Sequence, residues 1–121
     1  MSGRIRIREG EIAGDDADAV VGAERCDLAA GEASIRAALR DGLERARARG
    51  CRSVAVPALG AGGRLPLQRC AEILLEEARG HLAGDTCIEE IRFVVRGEPA
   101  LRVFEAVNDA ARIAEQAARW S

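Results

Sequence analysis

The middle of the chain combines an apolar strand pattern, a glycine-rich segment and an amphipathic helix pattern in immediate succession. Residues 53–57 read Ser-Val-Ala-Val-Pro, a continuous apolar run that is typical of a central parallel strand covered on both faces. The segment 58–65 follows, and we predict a helix from about Leu65, with Pro66 at its first position and apolar residues at helical spacing as far as Leu82. A strand that leads through a short loop into a helix is the unit of an α/β fold.

Weaker patterns on either side of this unit complete an alternating order of strands and helices. Residues 4–8 alternate between arginine and isoleucine, as an edge strand does, and residues 18–22 form a second, short strand pattern. An amphipathic helix is predicted over 32–50, a further strand over 90–95 and a closing helix from Pro99 onward. Right-handed crossovers between parallel strands place helices on both faces of a sheet. We therefore predict a three-layer α/β/α sandwich with a mostly parallel mixed sheet.

The length and the cysteine pattern limit the class of protein. A chain of 121 residues, 48% of them hydrophobic, fits one domain, which we place over residues 1–121. The cysteines lie far apart, with no C-x-x-C pair and no histidine beside them, so we expect no metal site, no redox motif and no cofactor. We interpret the four as small core residues in a reducing compartment: Cys26, Cys51, Cys70 and Cys87.

The hydropathy and charge patterns predict which classes of partner the chain does not bind. The chain has no apolar run of signal-peptide length at its start and none of membrane-spanning length, so we predict a cytoplasmic protein with no membrane partner. Its 18 basic residues, all arginines, are interleaved with 20 acidic ones, and its aromatic residues are two phenylalanines and one tryptophan. This composition indicates neither a basic patch nor a base-stacking surface, and we expect no nucleic acid partner.

The glycine-rich segment has the strongest ligand-binding pattern in the chain. Ligands of open α/β sheets bind at the carboxyl ends of the strands, where unpaired amides and the positive end of a helix dipole meet. Glycines permit positive φ angles and a close approach to an anion, so we predict a phosphate or pyrophosphate site formed by Gly60, Ala61, Gly62, Gly63 and Arg64. The alternative is that the glycines only turn a tight corner, because both the dinucleotide fingerprint and the P-loop pattern are incomplete.

At this point the residues resemble a macro domain, the module that binds ADP-ribose. The resemblance is strongest over residues 51–82 and continues through the strand-then-helix pattern of 88–107. The opening Ile-Arg-Ile-Arg-Glu-Gly-Glu-Ile is similar to the first strand and turn of the family, and residues 18–28 are similar to its Asp-Ala-Ile-Val-Asn-Ala-Ala-Asn segment. The central piece of the family, with its first glycine-rich loop, is missing between Leu28 and Ala33. The resemblance implies a shortened, macro-like fold whose ligand is ADP-ribose or a similar nucleotide.

The same resemblance implies four further ligand-binding positions. Glu11 stands where the family has the acid that accepts the adenine amino group. Arg96 replaces an aromatic residue that often stacks on adenine, and a guanidinium plane can stack in its place. Gly22 and Arg25 stand where the family has asparagines, the second of which is associated with the distal ribose and with hydrolysis.

These departures from the family favour binding over catalysis. Without the asparagines and the first loop, we expect nucleotide binding without hydrolysis and assign no catalytic residue. A hydrolase with an atypical site is a further hypothesis, in which Glu24, Asp27, Asp15 or Asp16 activates water. The ordinary interpretation of such acids is a solvated turn. His81, near a helix end, is interpreted as structural.

Self-association is the alternative function. Loss of the central piece shortens the sheet and exposes an edge or an apolar surface, which a symmetric homodimer can cover. The closing helix has alanines that suit close packing against a second copy or against the chain's own sheet: Ala106, Ala110, Ala114, Ala117 and Ala118.

Overall fold

The structure of the protein, a computed structural model, describes residues 3–22 and 31–120, with the backbone alone at Trp120. Within these ranges the strands and helices follow the predicted order, and a short 3-10 turn separates the first two strands. The strands are β1 (Arg4–Glu9), β2 (Ala19–Val20), β3 (Ser53–Val56) and β4 (Glu90–Val95), and the helices are α1 (Glu32–Ala48), α2 (Leu67–Leu82) and α3 (Glu98–Trp120).

The strands form one parallel sheet with β4 and β3 at its centre. Their spatial order is β1, β4, β3, β2, and every neighbouring pair is parallel. Strand β3 is nearly inaccessible to solvent beyond Ser53, as its continuous apolar run predicts. The predicted macro-like α/β class with a parallel sheet is confirmed.

One face of this sheet builds the core. In the register of β3 and β4, Val54 lies beside Ile91 and Val56 beside Phe93, so these side chains share a face. They join a single buried cluster with side chains from all three helices. The ring of Phe93 lies 5.8 Å from that of Phe104 on α3, centroid to centroid. The helices that the structure describes therefore form one layer on this face.

The second face of the sheet is charged. Glu90 and Arg92 of β4 alternate with the core residues, and in register beside them lie Arg4 and Arg6 of β1. Arg4, Arg6 and Arg92 all reach the carboxylate of Glu90. Helices were expected on both faces, but in the described residues the connection 10–18 between β1 and β2 packs on this second face through ion pairs with Arg92.

Ion pairs anchor that connection to the sheet. Asp15, whose side chain is 2% exposed, and Asp16 both accept hydrogen bonds from Arg92. The hydrogen bond from Arg92 lowers the pKa of the Asp16 carboxyl. Burial alone would raise the pKa of Glu90, but hydrogen bonds from Arg92 and Arg4 hold it below its usual value. The interpretation as a solvated turn acid is therefore wrong for Asp15, which is buried against β4, whereas Asp16 is 89% exposed and stays solvated while it accepts its hydrogen bond from Arg92.

Two local expectations also differ from the structure. Helix α2 begins at Leu67, two residues later than predicted, because Pro66 has an extended ψ of 150° and precedes the first turn as its N-cap. Cys51 and Cys70 are buried as expected, whereas Cys87 is exposed, with its sulfur 3.3 Å from the carbonyl oxygen of Cys51. No described helix has the length and apolarity that crossing a membrane requires.

His81 makes stability depend on pH near neutrality. Its ring nitrogen Nε2 lies 2.8 Å from the Thr86 hydroxyl, and burial lowers the pKa of the imidazole below its usual value of about 6.5. As the pH falls, the unfolded chain therefore binds this proton before the folded chain does. The contribution of His81 to the free energy of unfolding is fully present above about pH 6.5 and is lost as the pH drops through the depressed folded-state pKa. We expect this loss to be absent from the His81→Gln variant. The slope of its free energy of unfolding against pH should differ from that of the wild type by at most about 1.4 kcal/mol per pH unit. Urea unfolding of both proteins between about pH 7.5 and 5.5 measures this difference. Equal slopes for the two proteins would contradict the prediction.

Candidate ligand-binding site

The carboxyl ends of all strands meet at one edge of the sheet, because every described pairing is parallel. Four chain segments leave this edge in spatial order. Glu11 follows β1, Arg96 follows β4, the segment 58–65 follows β3 and Gly22 follows β2. The predicted ligand-binding residues within the described ranges therefore lie along a single edge.

The loop after β3, residues 58–65, uses two of its glycines in the left-handed region. Gly60 has φ +85° and Gly62 has φ +83°, angles that a residue with a β-carbon adopts only with strain. Their surroundings differ. A β-carbon at Gly60 would lie 2.5 Å from Cδ1 of Ile35 and 3.2 Å from Sγ of Cys70, whereas one at Gly62 meets nothing within 4 Å. Gly60 thus packs inward against α1 and α2, whereas the position that a side chain would take at Gly62 is open space.

Hydrogen bonds inside the loop decide which amides are available. The N–H of Ala61 donates to the carbonyl of Ala58 at 3.1 Å, and that of Gly63 donates to the carbonyl of Gly60 at 3.1 Å. In the loops and turns that the structure describes, no backbone carbonyl accepts a hydrogen bond from the N–H of Gly62. The amides of Ala61 and Gly63 thus close the turn. The N–H of Gly60 likewise has no backbone acceptor among these residues, but Gly60 is buried whereas Gly62 is exposed.

Glu11 and Arg96 form an ion pair at the same edge. Nη2 of Arg96 donates to Oε2 of Glu11, and both side chains are exposed. Their segments are held together by the N–H of Gly10, which donates to the carbonyl of Val95 at 2.9 Å. The structure thus brings together two residues that lie far apart in the sequence and that were both assigned to the ligand site. An exposed ion pair contributes little to stability, so a ligand can displace it at low cost.

Gly22 and Arg64 are the other predicted positions within the described residues, and they lie toward the β2 side of this edge. The N–H of Val21 donates to the carbonyl of Ala55, which extends the pairing of β2 and β3 and places Gly22 directly beyond it. Arg64 is exposed between the glycines and α2. Arg25 lies outside the described residues.

Sequence reasoning missed the contacts that position Glu11. The connection that begins with Glu11 is attached to β4 through Asp15 and Arg92, and to β3 through Asp18, whose carboxylate accepts the N–H of Arg52 at 2.9 Å. The signal was present in the sequence, since Glu90 and Arg92 are charged residues two apart in an otherwise apolar strand. The part of the chain that the structure describes contains no group of three or more histidine, cysteine or acidic side chains arranged to hold a metal ion.

Comparisons with known proteins agree with this fold. A family model described as Macro domain matches residues 19–74. The macrodomain of Trypanosoma brucei in complex with ADP superimposes with a TM-score of 0.74 at 16% identity, over 85% of this chain and 68% of that one. The chain has a shortened macro-domain fold. The predicted resemblance is confirmed.

Other macrodomain structures show how much of the fold is represented. The Oceanobacillus iheyensis macrodomain with ADP matches with a TM-score of 0.64 at 17% identity, over 69% of this chain. A Trypanosoma brucei macrodomain in complex with ADP-ribose matches with a TM-score of 0.61 at 22% identity, over 66% of this chain. The chain spans 44% and 35% of the length of these two structures. No curated protein sequence matches it significantly.

Proposed function

We propose that this macro domain binds ADP-ribose or a related phosphate-bearing nucleotide at the carboxyl edge of its sheet, without hydrolysing it. The observation that carries the proposal is Gly62, an exposed glycine with positive φ, open space above it and an amide with no backbone acceptor among the described residues. Such a glycine lets an anion approach the backbone closely. The macrodomains that share this fold include complexes with ADP and ADP-ribose.

The ion pair beside this loop supports a nucleotide rather than a simple phosphate. A carboxylate has several acceptor positions, so Glu11 can accept a base amino group while it holds Arg96. The planar guanidinium of Arg96 offers a surface for stacking on the same base. Recognition of phosphate at Gly62 and of the base at Glu11 and Arg96 then uses the loops of three neighbouring strands, β3, β4 and β1. Gly22 and Arg64 complete this proposed site, together with Arg25.

The state of the nearby acids supports binding without hydrolysis. A general base works best with a pKa near the working pH. Asp15 and Asp16 are instead bound to Arg92, which lowers the pKa of the Asp16 carboxyl. Glu24 and Asp27, the other acids considered for this role, lie outside the described residues. A cytoplasmic location fits this function and remains a prediction.

Calorimetric titration tests the proposal directly. We expect saturable, one-site binding of ADP-ribose and of ADP, and at least tenfold weaker binding of adenosine, because charge-assisted hydrogen bonds to phosphate contribute about 1.5–3 kcal/mol. Incubation with an ADP-ribosylated protein should release no ADP-ribose. Absence of binding would refute the function, and equal affinities for ADP-ribose and adenosine would refute the phosphate loop.

A further inference from the structure

A buried ion pair joins the connection 10–18 to the middle of β4. Nη1 of Arg92 donates to Oδ1 of Asp15 at 2.5 Å, and the two side chains are 15% and 2% exposed. The same carboxylate oxygen accepts the N–H of Ala17 at 2.9 Å. The pair lies on the charged face of the sheet and not at its carboxyl edge, so a direct contact with the proposed nucleotide is not its role.

Glu11 lies between two points that are bound to β4. Before it, the N–H of Gly10 donates to the carbonyl of Val95 at 2.9 Å. After it, Asp15 is bound to Arg92, and only residues 11–14 lie between the two points. A short segment that is fixed at both ends has few conformations available to it. The ion pair therefore restricts the backbone at Glu11.

The 3-10 turn Ile12–Gly14 connects Asp15 to Glu11. The N–H of Asp15 donates to the carbonyl of Ile12 at 3.2 Å, and the N–H of Gly14 donates to the carbonyl of Glu11 at 3.2 Å. No residue of this turn is buried, so apolar packing does not hold it in place. The buried carboxylate of Asp15 is therefore the contact that fixes the turn, and through the turn it fixes Glu11.

We propose that Asp15 and Arg92 are positioning residues for nucleotide binding, which hold Glu11 where its carboxylate accepts the amino group of the base. This inference rests on the proposed function. The pair acts on the base-bearing part of the ligand alone, because the loop 58–65, where the phosphate is proposed to bind, is supported separately by Ile35 of α1 and Cys70 of α2. Loss of the pair should therefore weaken recognition of the base and leave recognition of phosphate intact.

The second attachment of the connection lies farther from Glu11. Oδ2 of Asp18 accepts the N–H of Arg52 at 2.9 Å and the N–H of Ser53 at 3.3 Å. These contacts are at the amino end of β3, at the opposite edge of the sheet from the proposed site. Because Asp15 lies between the two, a change at Asp18 should not alter the position of Glu11. Asp18→Ala is therefore the matched control for Asp15→Ala.

Affinities for ADP and for inorganic pyrophosphate test the positioning role, because both carry a pyrophosphate group and only ADP has a base. We expect the wild type to bind ADP more tightly. Asp15→Ala should reduce the ratio of the two affinities roughly tenfold, as loss of a hydrogen bond to a charged group does, and leave the affinity for pyrophosphate unchanged. A general loss of stability would lower both affinities in proportion. Asp18→Ala should keep the wild-type ratio.

Arg92→Lys tests the pair from the side of the strand. Arg92 donates to Asp15 through Nη1 and to Glu90 through Nη2 and Nε, and a lysine lacks the planar fork that bonds to both acids. The ratio of affinities should fall in this variant as well. Lysine keeps the positive charge, so the variant should fold even if Asp15→Ala does not, as circular dichroism can verify.

A double variant tests whether Asp15 acts through Glu11. Glu11→Ala alone should lower the ratio of affinities, and adding Asp15→Ala should lower it no further, because a positioning residue has no effect once the residue that it positions is absent. Losses that multiply in the double variant would overturn the proposal. So would a wild-type ratio in both Asp15→Ala and Arg92→Lys.

Amide hydrogen exchange without nucleotide separates this proposal from the proposed function. The N–H of Gly14 should exchange about tenfold faster or more in Asp15→Ala or Arg92→Lys than in the wild type, because its bond to the carbonyl of Glu11 opens more often. A wild type that binds no ADP would refute the proposed function, and the exchange rate would still show whether the ion pair holds the turn. Equal exchange rates in the wild type and both variants would overturn the positioning role.

Discussion

We expect the Gly62→Val variant to lose nucleotide binding while the domain stays folded. A branched side chain at this position fills the open space through which an anion approaches the loop, and it strains a backbone with φ +83°. Loss of a charge-assisted hydrogen bond corresponds to about 1.5–3 kcal/mol, or roughly 10- to 100-fold in affinity. Calorimetric titration with ADP-ribose, beside thermal unfolding of the same samples, measures both properties.

Gly50 supplies a matched control for this experiment. It has φ +76° and equally open surroundings, but it lies between α1 and β3, at the amino end of the strand and therefore at the opposite edge of the sheet. Gly50→Val should cost a similar amount of stability, about 1–2 kcal/mol or somewhat more for a β-branched residue, and leave the affinity unchanged. If both variants bind ADP-ribose as the wild type does, Gly62 is only a turn residue.

Local patterns were sufficient to predict the sequence of strands and helices. The predicted strand over 90–95 coincides with β4, and the helix predicted from Glu32 begins there in the structure. Both segments have a strong apolar period that only one kind of element satisfies. The start of α2 was less well predicted, because Pro66 is compatible with the first turn of a helix and with the position before it.

Contacts between distant segments could not be predicted in the same way. Asp15 and Asp16 have the local pattern of a solvated turn, and only the pairing of β1 with β4 brings them to Arg92. The ion pair between Glu11 and Arg96 likewise joins loops 85 residues apart. The family resemblance assigned both residues to the predicted ligand site, but their mutual contact follows from the strand order. A family resemblance identifies candidate ligand-binding positions in the sequence. The order of the strands in the sheet determines which of these residues come into contact.

The glycines of the loop at 58–65 show how neighbouring residues of one type can serve different purposes. We expect Gly60→Ala to destabilise the domain by about 2–5 kcal/mol, the sum of about 1–2 kcal/mol of backbone strain and about 1–3 kcal/mol of overpacking. The added methyl group would lie 2.5 Å from Cδ1 of Ile35 and 3.2 Å from Sγ of Cys70, inside the contact between α1 and α2. Equilibrium urea unfolding measures the change.

Gly62→Ala is the control, because it has nearly the same φ as Gly60 and no neighbour within 4 Å of the added carbon. It should cost only the backbone strain, so the difference between the two variants isolates the packing of Gly60 on Ile35 and Cys70. Equal destabilisation of both variants would mean that Ile35 and Cys70 rearrange around the added methyl group without a measurable loss of stability. A larger effect at Gly60 would mean that the packing of α1 and α2 beneath Gly60 stabilises the loop.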